Sequence, residues 1–227
     1  MNNRTWLLIF LLVLGSHLVG ILLHNTILQQ VTKSILVPVL MAWVVTGLKN
    51  TPSGLKVWLL AALFFSWVGD VLLMFQEKDP IFFLLGLGSF LLAHIGYIIL
   101  FHKVRVLEAV KSNPWFLVVV VVYYAGLISW LGPYLGDMKL PVRVYGVVIS
   151  FMFLLALHML YIKNKETRKF MMGGATLFII SDSVLAINKF YQPFEMAGFI
   201  IMLTYGLAQL CIVYGAMKYI RGSNHLI

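Results

Sequence analysis

Val57-Trp58-Leu59-Leu60-Ala61-Ala62-Leu63-Phe64-Phe65-Ser66-Trp67-Val68-Gly69-Asp70-Val71-Leu72-Leu73-Met74-Phe75 decides the fold of this chain. As an α-helix this run has the length that a hydrocarbon core about 30 Å thick requires. It carries no polar stripe of the kind that would put one face in water. Seven further runs of the same kind flank it, giving spans at 5–23, 31–48, 57–75, 81–101, 115–131, 140–162, 169–190 and 196–219. Turn chemistry separates them: Asn50-Thr51-Pro52-Ser53-Gly54, Asp79-Pro80, Ser112-Asn113-Pro114, Gly132-Pro133 and Gln192-Pro193. The expected fold is all-α, a polytopic membrane bundle of about eight transmembrane helices forming one integral membrane domain over 1–227.

Composition agrees. Of 227 residues, 61% are hydrophobic and 11% charged, and the mean hydropathy is +0.95. Soluble domains average about 25% charged residues, so a soluble enzyme, a disordered chain and a coiled coil are all excluded. The gaps are too short for a separate extramembrane domain. Cys211 is the single cysteine, which excludes an internal disulfide framework and any CxxC site. The first span runs on through Ile21-Leu22-Leu23 with no small-residue cleavage site after it, and reads as a retained helix rather than a signal peptide.

The net charge is +9, and its distribution speaks to topology. With eight spans both termini share a side, and twelve of the seventeen Lys and Arg lie there. Lys33, Lys78, Lys139, Arg143 and Lys189 lie on the other. Cytoplasmic loops carry the excess of cations, so both termini are expected in the cytoplasm, in the inner membrane if the source is bacterial. Nucleic acid is not an expected partner. The lysine-rich 163–169 segment reads as a solvated turn.

Ionisable groups inside spans are costly and mark functional sites. Asp70 in span 3 and Asp182 in span 7 are such groups, 112 residues apart, each followed by Leu three positions on. At that offset span 3 falls on span 7, span 4 on span 8, and Gly86 on Gly198. The pattern suggests two parallel four-helix halves, 1–112 and 113–227. Spans 3 and 7 run in the same direction, which puts both aspartates at similar depth in the outer half. Two carboxylates in one pocket, one protonated and one ionised, suit general acid–base chemistry. The plainer reading is that each aspartate bonds to a neighbouring helix.

Spacing gathers neighbours on shared helical faces. Ser66 lies one turn before Asp70, His94 and Tyr97 are i, i+3, and Tyr205 and Gln209 are i, i+4. Lys33 near the outer mouth of span 2 can snorkel or serve as counter-ion to a carboxylate or lipid phosphate. Arg143 and Tyr145 could meet a phosphate at the outer face, whereas Tyr123 and Tyr124 have no evident partner. No G-x-S-x-G, H-E-x-x-H, P-loop or G-x-G-x-x-G occurs, and the His and Cys spacing suggests no metal site.

Ser66-x-x-Gly69-Asp70-x-x-Leu73, Phe83-x-x-Gly86-x-x-x-Phe90-x-x-x-His94-x-x-Tyr97, Gly174-Ala175-x-x-Phe178-x-x-Ser181-Asp182 and Tyr205-x-x-x-Gln209 together resemble the YhhN family, along essentially the whole chain. Thr32-Lys33 resembles the family's second span, with Ser34 where a proline is expected. The resemblance implies a lysoplasmalogenase that hydrolyses the vinyl ether of a lysoplasmalogen, with a lysophospholipid substrate, membrane lipid around it, and neither cofactor nor metal. The buried carboxylates fit that chemistry, with Asp70 and Asp182 as the catalytic pair and either one as the acid. Lys33 would face the phosphate, and Ser66, His94, Tyr97, Tyr145, Ser181, Tyr205 and Gln209 would position water or polar substrate atoms. Two other classes remain open at this point: a proton-coupled transporter using the same carboxylates, and a non-catalytic lipid-binding protein. A transporter should break its helices at the site, and spans 3 and 7 contain Gly69 and Gly173-Gly174 but no proline.

Overall fold

The computed structural model describes residues 2–223. Within them lie eight helices long and apolar enough to cross a membrane: α1 (Asn3–Leu22), α2 (Thr26–Gly47), α3 (Gly54–Leu73), α4 (Ile81–Leu107), α5 (Pro114–Leu131), α6 (Lys139–His158), α7 (Lys165–Ala186) and α8 (Ala197–Ser223). The chain is an integral, multi-pass membrane protein. Large apolar side chains such as Leu12, Ile27, Trp115 and Val122 are exposed on the outside of the bundle, where acyl chains solvate them.

Two helix starts depart from the hydropathy reading by four residues or more, each for a local reason. α2 begins five residues early because Asn25 caps it, its side chain accepting from the Leu28 amide at 2.9 Å. The added turn carries Gln29 and Gln30, too polar to read as membrane core. Ser34 is helical, its hydroxyl donating to the Gln30 carbonyl, and α2 continues through Pro38. α7 likewise begins at Lys165, because Asn164 accepts from the amides of Glu166 and Thr167. Residues 165–169 are therefore a helical turn rather than a loop, and Glu166 pairs with Lys218 of α8.

α3 packs along α4 and α7 along α8, with α4 also against α6. Small residues set both close approaches. A Cβ on Gly96 of α4 would lie 3.2 Å from the Ala62 Cα of α3, and one on Gly174 of α7 would lie 2.8 Å from the Ala208 carbonyl of α8. Interfaces of this kind let membrane helices gain dispersion contact where no hydrophobic force drives them together. The two glycine–alanine crossings are 112 residues apart, with the small partners exchanged. The same offset lays α1 to α4 onto α5 to α8 in order. Short turns alternate between the two ends of the bundle. The end formed by the α1–α2, α3–α4, α5–α6 and α7–α8 turns, here the rim face, carries the site.

Candidate active site

A cavity of about 580 Å³ opens at the rim face between α1, α2, α3, α7 and α8. Asp70 and Asp182 both line it, so the two carboxylates that the sequence singles out face one space. α3 and α7 present them from their rim-side ends and run unbroken through both positions. α7 then passes into a single π-helical turn over 187–191.

The two carboxylates keep different company. Asp70 is buried; Tyr205 of α8 donates its hydroxyl to Oδ2 at 2.7 Å, and Lys33 Nζ of α2 stands 3.9 Å from Oδ1. Asp182 accepts from the Tyr145 hydroxyl of α6 on Oδ2, and His94 Nε2 of α4 lies 3.8 Å from that same oxygen. No lysine or arginine pairs with Asp182 among the described residues. Asp70 therefore has an ammonium beside it and Asp182 has a phenol and an imidazole. His94 is fully buried, with the Tyr145 and Phe178 rings edge-on at 5.2 and 4.8 Å. Among the described residues neither of its ring nitrogens makes a hydrogen bond of good geometry, and an orphaned buried group costs about 1–3 kcal/mol.

The other expected residues divide into wall and support. Lys33, Ser181 and Tyr205 line the cavity. Ser66, Tyr97 and Gln209 do not. They form a buried chain behind Asp70, in which Tyr97 donates to Gln209 Oε1 and Gln209 Nε2 donates to Ser66 Oγ at 2.9 Å. This chain ties α4, α8 and α3 together and holds Tyr205 one helical turn away. The Ser181 hydroxyl donates to the Ile201 carbonyl of α8 at 3.0 Å. Tyr145 is turned inward onto Asp182, not outward with Arg143, which is exposed. Tyr123 and Tyr124 do have partners: Ser183 Oγ at 2.6 Å and the Arg143 carbonyl at 3.3 Å.

Sequence reasoning missed much of the rim. Gln29, Gln30, Gln76, Glu77, Lys78 and Asn188 line the mouth, and Lys189 reaches Gln76 Oε1 at 3.4 Å. The signal was present. Of the five cations on the side with fewer of them, Lys33 and Lys78 line this cavity and Lys189 adjoins it. His17 of α1 also lines the wall and went unnoticed. Among the described residues no group of three His, Cys, Asp or Glu could hold a metal ion.

The YhhN family model matches residues 28–216. A lysoplasmalogenase of Mycobacterium bovis is 33% identical over 161 residues, covering 70% of this chain and 59% of the relative. Lysoplasmalogenase TMEM86B of Rattus norvegicus is 32% identical over 194 residues, covering 81% and 70%. Lysoplasmalogenase TMEM86A of Homo sapiens is 30% identical over 170 residues, covering 74% and 67%. The match to the mycobacterial relatives thus spans about three-fifths of their length. No solved structure matches the chain significantly.

Proposed function

The chain belongs to the YhhN family, and on that basis we propose that it is a lysoplasmalogenase whose chemistry is carried by Asp70 and Asp182. The observation that carries the reading is a cavity lined by both carboxylates, with lysines at its mouth. Its volume suits a small-molecule site. The unbroken helices at both aspartates favour a fixed pocket over the discontinuous helices of a transporter site.

The different neighbours divide the roles. Asp182, with no lysine or arginine beside it among the described residues, is the acid; Asp70, held beside Lys33, is the anion. Asp182 delivers its proton to the β-carbon of the vinyl ether, and the electron pair of the double bond forms the new C–H bond. The oxocarbenium ion that results lies against the Asp70 carboxylate, in a site where fixed charge acts with little screening. Water adds to the cationic carbon and gives its proton to Asp70. In the hemiacetal, Asp182 takes the hydroxyl proton while Asp70 returns its proton to the departing glycerol oxygen. A fatty aldehyde and a glycerophospho-alcohol leave, and both carboxyl groups are restored. His94 stands where it can follow the change of charge on Asp182.

The rim cations support a place for the other end of the substrate. Cations on the non-cytoplasmic side run against the usual bias, and here they gather at the cavity mouth, where Lys33 and Lys78 meet the lipid phosphate. Both termini are then cytoplasmic, and the mouth opens to the outer leaflet, from which a single-chain lipid enters with its alkenyl tail in the membrane.

The test is aldehyde release from lysoplasmalogen by purified wild type, Asp70→Asn and Asp182→Asn in detergent. Each substitution should cost about 10²–10⁴-fold in kcat in protein that still melts cooperatively. Full activity in either folded variant removes the pair from the mechanism. No aldehyde from folded wild type removes the substrate.

A further inference from the structure

One polar group on the cavity wall is not used by that mechanism. His17 lies on the buried face of α1, along with Phe10, Leu14 and Gly20, before the residues that the family model matches. It is 2% exposed and lines the cavity. Its hydrogen bond runs through Nδ1, 2.8 Å from the Thr32 hydroxyl oxygen. The Thr32 hydroxyl has one proton, and that proton goes to the Leu28 carbonyl at 2.6 Å, with the Gln29 carbonyl at 3.2 Å. With its proton on a backbone carbonyl, Thr32 accepts from His17, an assignment from the hydrogen-bond network that puts the proton of a neutral ring on Nδ1 and leaves a lone pair on Nε2. A neighbouring backbone contact fixes which nitrogen is the acceptor.

The place of this acceptor matters. Thr32 directly precedes Lys33, which lines the cavity mouth with its ammonium 3.9 Å from Asp70 Oδ1. In a lysoplasmalogen the phosphate is on one end carbon of the glycerol and the vinyl ether on the other. With the phosphate at the rim lysines and the ether at the carboxylates, the middle carbon must cross the wall near Lys33. That carbon bears a free hydroxyl in a lysolipid and an ester in a two-chain lipid. An ester has no proton to donate.

We infer that His17 Nε2 accepts a hydrogen bond from the free sn-2 hydroxyl of the substrate, making His17 a specificity residue for one-chain over two-chain ether lipids. The inference rests on the lysoplasmalogenase reading above. A site built to bond a hydroxyl rejects an analogue without it more strongly than an apolar pocket discriminates by size.

The experiment is a cycle between enzyme and substrate. Wild type, His17→Ala and His17→Gln are each assayed for aldehyde release from lysoplasmalogen and from its 2-deoxy analogue, which keeps the vinyl ether and phosphate but lacks the hydroxyl. Wild type should prefer the hydroxyl substrate about tenfold in kcat/KM, mostly through KM, the size of an ordinary hydrogen bond. His17→Ala should process the two substrates equally. His17→Gln, which offers an amide oxygen at similar reach, should recover part of the preference. A Thr32→Val variant, which removes the acceptor for Nδ1 and frees the tautomer, should weaken the preference while sparing the carboxylates. An undiminished preference in folded His17→Ala overturns the assignment of His17 alone. Wild type that releases aldehyde from neither substrate overturns the lysoplasmalogenase reading, and this inference with it.

Discussion

Replacing Lys33 by methionine removes the ammonium beside Asp70 and keeps most of the apolar stem. At an effective dielectric constant near 20, opposite unit charges 3.9 Å apart attract by about 4 kcal/mol. The Lys33 side chain is 19% exposed and the Asp70 side chain 3%. Solvent at the rim therefore screens part of the attraction, and the two partners do not suffer equally from separation. Asp70 without Lys33 is a buried carboxylate with one phenol donor, and breaking a buried pair in this way costs about 3–5 kcal/mol. Lys33 without Asp70 can swing its ammonium toward the rim and stay hydrated, so Asp70→Asn should cost about 1 kcal/mol or less. The double variant has no charge left to strand and should resemble Asp70→Asn. For a chain of this size about 1 kcal/mol moves Tm by roughly 2–4 °C. Melts followed by the fluorescence of the six tryptophans, in one detergent, should place Lys33→Met about 6–20 °C below wild type. The other two variants should lie within a few degrees of it. Equal losses in the two single variants, or a double variant that melts at the sum of their losses, would show that Asp70 does not depend on Lys33 in this way.

Three further outcomes follow from particular contacts. Gly174→Ala puts a methyl 2.8 Å from the Ala208 carbonyl and 2.9 Å from the Ile212 amide nitrogen and should destabilise by about 1–3 kcal/mol. Its neighbour Gly173→Ala meets nothing within 4 Å and should be neutral or gain up to about 1 kcal/mol; the pair is compared by thermal melts. His94→Leu removes two orphaned ring nitrogens from the interior and should raise Tm while lowering aldehyde release, and a variant that melts lower with full activity contradicts both halves of the argument. In a Cys211→Ser background, Gln30→Cys at the rim should react with a membrane-impermeant maleimide on intact cells and Lys163→Cys should not, both positions being exposed; the reverse pattern inverts the topology.

The bundle was legible because each span is a long apolar run, and the carboxylates because a charge inside such a run stands out. Asp70 and Asp182 could be placed at one depth from direction and position along their spans. What could not be read was orientation about each helix axis. His94 and Tyr205 share an apolar context in sequence, yet one is packed behind the wall between aromatic rings and the other lines the cavity. Tyr145 looks interfacial beside Arg143 until the rotation of α6 turns it onto Asp182. The rim glutamines were lost for a different reason. Hydropathy ends a span at the first polar residues, while the helix itself ends at its cap, and Asn25 lies four residues before Gln29. Polar residues in that overhang read as loop although they are helical and face the site. His17 has the opposite problem, as one imidazole in a long apolar helix whose partner, Thr32, is a common residue on another helix.

The two halves matter to the chemistry through the places where they differ. We propose that the chain is two parallel repeats of one four-helix unit, related by an axis along the membrane normal; an experimental structure in which α1 to α4 does not superpose on α5 to α8 would overturn this. The offset of 112 residues relates Asp70 to Asp182, and it also relates Lys33 to Tyr145, the residues that touch them from the preceding helix. It relates Tyr97 to Gln209, which bond directly to each other, as residues at such an axis must meet. If the halves were identical, the two carboxylates would have the same partners and no reason to titrate or react differently. Acid–base catalysis by a pair needs one group that gives a proton while the other holds a charge. Replacing an ammonium by a phenol at one of two equivalent positions supplies that difference without moving either aspartate. The extra cation of the first half also lies on the same side as the rim lysines, so the substitution that separates the roles of the carboxylates also orients the phosphate. On this argument exchanging the partners, Lys33→Tyr with Tyr145→Lys, should exchange the roles of the aspartates rather than abolish both, whereas Lys33→Tyr alone should leave neither carboxylate beside an ammonium and give the lower activity.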